Sequence, residues 1–148
     1  MSPEAPTSED VRWLRRCLEL AQAAAVADEV PVGAIVVVDG AVVGEGRNRV
    51  EELRSPLARA EMLALQQALV HAGNKRLANA TLYCSLEPCF LCAGAILHAR
   101  VDRVVFGASD PKFGAVRSLA NVLEDPRLNH RCTVVAGVEA TASADLLR

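Results

Sequence analysis

What this 148-residue sequence lacks narrows it first. No apolar run approaches the roughly 20 residues that a bilayer-spanning helix needs, although 51% of the chain is hydrophobic. The opening "MSPEAPTSED" has no basic stretch followed by an apolar one, so neither a signal peptide nor a membrane partner is expected, and the expected location is the cytoplasm. A net charge of −2 supplies no global basic field that would advertise nucleic acid. Only residues 100–131, with six Lys/Arg against four Asp/Glu, carry a local excess that could meet phosphates. Five cysteines, an odd number, fit reduced thiols or metal ligands better than a disulfide framework. There is no internal repeat, no linker and no low-complexity segment beyond the first seven residues. The expectation is one domain over 1–148, with 1–7 disordered and a core of ordinary size.

The apolar pattern then lays out the elements. Val11, Leu14, Leu18, Ala21 and Ala25 recur at helical spacing after Thr7 or Ser8, which predicts a capped amphipathic helix over 8–27. "GAIVVVDGAVVGEG" reads as two β-branched strands joined by the two-residue turn Asp39-Gly40. Pro56 and Gly73 frame a helix over 56–72. Strand 81–86, helix 88–100 and strand 102–108 form a β-α-β unit, whose crossover is expected to be right-handed and parallel. A short helix at 118–125, a last strand at 132–138 and a closing helix at 139–148 complete the chain. The fold class is α/β, a three-layer α/β/α arrangement with a mixed sheet of about five strands and helices on both faces.

Two stretches carry chemistry. In "SLEPCFLCAGAILHAR", Cys89 and Cys92 stand at i and i+3 where a helix begins, so both sulfurs fall on one face. A helix N-terminus favours thiolates. A lone C-x-x-C fits a redox pair, half a zinc site or two small core residues. Its position in mid-chain after "LEP" favours metal. In "RSPLARAEMLALQQAL", Arg59 and Glu61 lie about 200° apart around the helix axis. They can converge only on something beyond the helix end. A glutamate there could carry protons to and from a reacting group, although a glutamate favoured by the helix dipole would look the same.

The motifs "PVGAIVV", "GEGRNR", "ARAE", "NATLYCSLEPCFLCAGAILHARVDRVVFGASDPKFGA" and "LNHR" follow one another over nearly the whole chain. In this the sequence resembles the bacterial tRNA adenosine deaminases, a branch of the cytidine-deaminase fold. The resemblance implies one Zn²⁺ per subunit, held by a His and two Cys, which activates water to attack C6 of a flipped wobble adenosine (position 34), giving inosine and ammonia. It further implies that Cys89 and Cys92 are the thiolate ligands and Glu61 the proton shuttle. Asn48 would hydrogen-bond the flipped base, the backbone N–H of Ala60 would touch it, and Leu86, Glu87 and Pro88 would shape the pocket wall. Asp110, Lys112 and Asn129 would approach the RNA. The implied partners are a tRNA anticodon stem-loop and a second copy of the chain, a homodimer for which Phe90, Leu91, Ile96 and Leu97 supply apolar surface on the cysteine-bearing helix.

One residue departs from that pattern. The family's His-Ala-Glu is Arg59-Ala60-Glu61 here, and a guanidinium has no lone pair to offer a metal. His98, His71 and Cys84 are too far along their elements to replace the histidine. Three readings follow: a tRNA adenosine deaminase, an inactive RNA-binding protein of the same fold, or a deaminase of free guanine or cytosine.

Overall fold

A computed structural model of the chain describes residues 5–148; of the segment expected to be disordered, 1–4 lie outside the described residues. Helix α1 (Ser8–Val26) starts at a capping box in which the Thr7 hydroxyl accepts the Asp10 N–H and the Asp10 carboxylate accepts the Thr7 N–H. Its buried stripe is Asp10, Leu14, Cys17, Ala21 and Ala24, rotated slightly from the one the apolar residues suggest. Strands β1 (Gly33–Val38) and β2 (Ala41–Arg47) form the expected hairpin, with Asp39 at φ 51° and Gly40 at φ 76° as a left-handed turn requires.

A short helix α2 (Val50–Leu53) follows, which the pattern gives no hint of. Helix α3 runs Ala60–Ala72, four residues shorter at its start than expected. Strand β3 (Ala80–Leu86), helix α4 (Phe90–Ala99) and strand β4 (Arg103–Ala108) are the predicted β-α-β unit, and β3 and β4 pair in parallel. Pro88 lies ahead of α4 rather than in its first turn, and Cys89 is the N-cap. No helix forms at 118–125: the Leu119 and Val122 N–H groups bond to the carbonyls of Gly114 and Ala115, five and seven residues back, in place of an i−4 ladder. Strand β5 is only Thr133–Val135, ended before Gly137 at φ 79°, and α5 (Ala140–Leu146) closes the described chain.

The sheet order is β2-β1-β3-β4-β5, with β1 antiparallel to both neighbours and the rest parallel. Alternating strand residues divide the core. Ala34, Val36, Leu82, Cys84, Val104 and Phe106 pack with α3 and α4, while Ile35, Val37, Tyr83 and Val105 pack with α1. Close approach of α3 to β2 depends on Gly46, where a Cβ would stand 2.6 Å from the Ala60 carbonyl oxygen. The first turn of α3 therefore rests directly on the hairpin. No helix among the described residues is long and apolar enough to cross a membrane.

Candidate active site

Two helix N-termini meet one pocket of about 260 Å³. Arg59 is the N-cap of α3 and Cys89 the N-cap of α4, both in extended conformation and neither making a side-chain cap bond. The pocket is lined by both, together with Glu61, Asn48, Leu86, Glu87, Asp110 and Phe113, and by Glu29, Val30, Val32, Val50 and Glu51. The missing cap on α3 is supplied from a distance. Asn48, buried after β2, accepts the Ala60 N–H at 2.9 Å.

The titrating groups influence one another strongly. Burial raises the Glu61 carboxyl to about 7, against the pull of its own backbone N–H, the Cys92 thiol and the Arg59 charge. Cys89 is held down at about 5, chiefly by a hydrogen bond from Cys92 and further by the α4 backbone and Arg59. Cys92 is pushed up by the same thiol bond and by burial. Within the pair the shared hydrogen bond favours the thiolate on Cys89 over one on Cys92. A buried carboxyl poised near neutrality beside it suits proton transfer to and from a bound molecule.

Glu29 and Glu87 are buried and committed to backbone. Glu29 accepts the N–H groups of Glu51 and Glu52 at 3.0 and 2.8 Å, which fixes the start of α2. Glu87 accepts from the N–H of Asp110, Val116, Arg117 and Ser118 and from the Ser118 hydroxyl, all within 3.1 Å. One carboxylate therefore holds the loop from 110 to 118 against the pocket. Gly114 makes room for it, since a Cβ there would strike the Glu87 side chain.

Whether these residues could hold the zinc that the resemblance implies is a matter of donors. Cys89 and Cys92 offer two sulfurs, and Arg59 stands where a third donor would be needed. Its Nε is enclosed with no hydrogen-bond partner. Among the described residues no three His, Cys, Asp or Glu side chains gather as a metal ion would require. His71 and His98 are exposed in the last turns of α3 and α4, and the Cys84 thiol faces the Val105 carbonyl inside the sheet. The donor set does not fit a three-ligand zinc site.

The other anticipated residues are distributed unevenly. Asn48, Arg59, Glu61, Leu86, Glu87, Cys89 and Asp110 line one pocket, with Cys92 bonded to Cys89 just behind it. The Ala60 N–H is already given to Asn48, and Pro88 is buried with its carbonyl accepting from Ala115. Lys112 is exposed beyond the rim, in a turn where the Asp110 carboxylate accepts the Lys112 and Phe113 N–H groups. Asn129 is not brought to the site. Its neighbour His130 bonds to the Val101 carbonyl, ahead of β4, whereas the pocket lies past the far ends of β3 and β4. On α4, Ile96 is fully buried and Leu97 packs on the chain's own core, which leaves Phe90 and Leu91 as the exposed apolar pair. Glu29, Val30, Val50, Glu51 and Phe113 were not anticipated. Val30 and Phe113 give no periodic signal because they are exposed loop residues.

Comparison with known proteins bears on this geometry. A family model described as MafB19-like deaminase matches residues 8–146. A tRNA-specific adenosine deaminase of Streptococcus pyogenes serotype M1 is 40% identical over 140 residues, 95% of this chain and 82% of that protein. A protein of the same name from Haemophilus influenzae is 46% identical over 132 residues, 88% of this chain and 76% of its own. Among solved structures, one from studies of A-to-I editing by tRNA:A34 deaminases at the wobble position of transfer RNA superposes with a TM-score of 0.88 at 40% identity. That match covers 92% of this chain and 99% of the other. A guanine deaminase from Nitrosomonas europaea gives 0.82 at 28% identity, covering 99% and 86%.

Proposed function

The chain belongs to the MafB19-like deaminase family, and we propose that it is a tRNA adenosine deaminase converting the wobble adenosine of an anticodon to inosine. The observation that carries this reading is Glu61, buried at the α3 N-terminus in a pocket walled by Asn48, Leu86 and Asp110, with its carboxyl near 7. In the net reaction a water oxygen adds at C6 of adenine, and the amino group leaves as ammonia. Glu61 takes the proton from water and delivers it to the departing amine. Asn48 orients the base, and the 110–113 turn held by Glu87 borders the strand that enters. The exposed Lys112 faces phosphate.

The reading places the protein in the cytoplasm as a homodimer of single-domain chains. Exposed Phe90, Leu91 and Leu119 support the dimer. Sedimentation velocity at tens of micromolar is expected to give a dimer, and a monomer alone would reject that part.

Arg59 favours a second reading, an RNA-binding protein of the same fold without turnover. Both are tested together by offering an anticodon stem-loop with adenosine at position 34 and measuring binding and inosine. Inosine supports the deaminase. Binding that weakens steeply with salt, without inosine, supports the second reading. Turnover of free guanine or cytosine, with none on RNA, overturns both.

A further inference from the structure

The donor chemistry around Arg59 has a consequence of its own, concerning the same pocket but independent of RNA. Cys89 and Glu61 line the pocket with Arg59, and Cys92 is hydrogen-bonded to both of them. The charge of Arg59 acts on all three. Arg59 is thus the positively charged side chain placed beside these acidic groups where the two helices begin. Among the described residues no other cationic side chain lines the pocket.

The backbone gives Arg59 little room to withdraw. The preceding Ala58 bonds through its N–H to the Ser55 carbonyl and through its carbonyl to the Arg49 N–H. Arg59 accepts the Leu63 N–H at 3.0 Å, and Ala60 is tied to Asn48. The side chain therefore leaves a fixed Cα toward the pocket, and its Nε is enclosed without a partner. Of the other carboxylates at the wall, Glu29 and Glu87 are occupied by backbone N–H groups, and Asp110 accepts the Lys112 and Phe113 N–H groups of its own turn.

We propose that Arg59 fills the place of a third metal donor and serves as the fixed cation of this site, so that the chain folds and keeps its pocket without zinc. The two cysteines remain positioned for a metal, and a single imidazole at position 59 completes a three-donor set.

The test is metal content and melting of the intact protein, purified from zinc-supplemented medium without chelator and measured with no RNA present. The unaltered chain is expected to hold well under about 0.2 zinc per chain, and its Tm should not move with EDTA. Arg59→His should hold about one zinc per chain and lose Tm in EDTA, while Arg59→His combined with Cys92→Ser should lose the metal again. About one chelator-removable zinc per unaltered chain overturns the proposal. So does Arg59→His that folds but takes no zinc, because the cysteines are then not poised. Should Arg59→His fail to fold, the zinc content and EDTA response of the unaltered chain decide alone. Failure to bind or deaminate RNA would leave these measurements untouched.

Discussion

Asn48 Oδ1 accepts the N–H of Ala60 at 2.9 Å, so that a residue twelve positions upstream caps helix α3 across the pocket. The formal N-cap, Arg59, makes no side-chain cap bond. One amide thus stabilises the helix start and stands at the pocket wall. Asn48→Ala leaves a buried N–H without its partner and should cost about 1–2 kcal/mol. Denaturant unfolding is the measurement. A midpoint equal to that of the unaltered protein would mean that solvent replaces the bond and that Asn48 has no part in fixing Arg59 and Glu61.

That long-range cap also explains which features were legible in the sequence. Periodicity and turn chemistry suffice where bonds are local: the Asp39-Gly40 hairpin, the Thr7 cap and the β3-α4-β4 unit all stand where expected. They fail where a distant side chain decides. Pro56 suggests a helix start, yet Arg49 holds the Ala58 carbonyl and Asn48 caps Ala60, which moves the start to residue 60. "SLANVLED" has helical character, but Glu87 takes the N–H groups of Arg117 and Ser118, and Leu119 and Val122 turn back to Gly114 and Ala115. Of the site, the residues of the two helix starts were readable because C-x-x-C and R-A-E are local. The wall formed by Glu29, Val30 and Phe113 was not, because those residues meet the pocket only in the folded chain.

Glu87 should prove a mainstay of the 110–118 loop. Five donors converge on its carboxylate. Glu87→Ala leaves several buried N–H groups unpaired and should destabilise by roughly 3 kcal/mol. Amide hydrogen exchange at Val116, Arg117 and Ser118 should rise well above that of the β3 and β4 strands. If those amides keep their protection, the loop is held by something other than Glu87.

Acid should attack the protein at Asp10. Burial alone would raise this carboxyl, but the bidentate pair with Arg103 at 2.6 and 2.7 Å, the Thr7 N–H and the Tyr83 hydroxyl outweigh it and bring it from 3.8 to about 2. A depressed folded-state value contributes stability above the unfolded pKa and loses it as pH falls through the folded one. The shift is worth about 2 kcal/mol, present above pH ~4 and lost between pH ~4 and ~2. Glu87, whose bonds to Ser118 and the loop N–H groups outweigh the raising effect of burial, acts in the same direction. Asp10→Asn should be less stable than the unaltered protein at pH 7, and the gap should close toward pH 2. A gap that is constant with pH would show that Asp10 contributes shape rather than charge.

Glu61 should give the opposite sign. Its carboxyl is raised from 4.5 to about 7, chiefly by burial, so the stability that its protonated form provides is complete below pH ~4.5 and lost as pH rises through ~7. At pH 8 the buried carboxylate costs about 3 kcal/mol relative to an exposed one. Glu61→Gln removes the charge while keeping the size, and the variant should melt higher than the unaltered chain at pH 8 and at a similar temperature at pH 5. The same substitution removes the proton carrier, so any inosine formation should fall by roughly 10²-fold or more while stem-loop affinity stays within about twofold. A gain in stability together with a loss of turnover is what a side chain held in its site for chemistry produces. A Gln variant that is less stable at pH 8, or that deaminates at the original rate, would return Glu61 to the role of an ordinary helix-start glutamate.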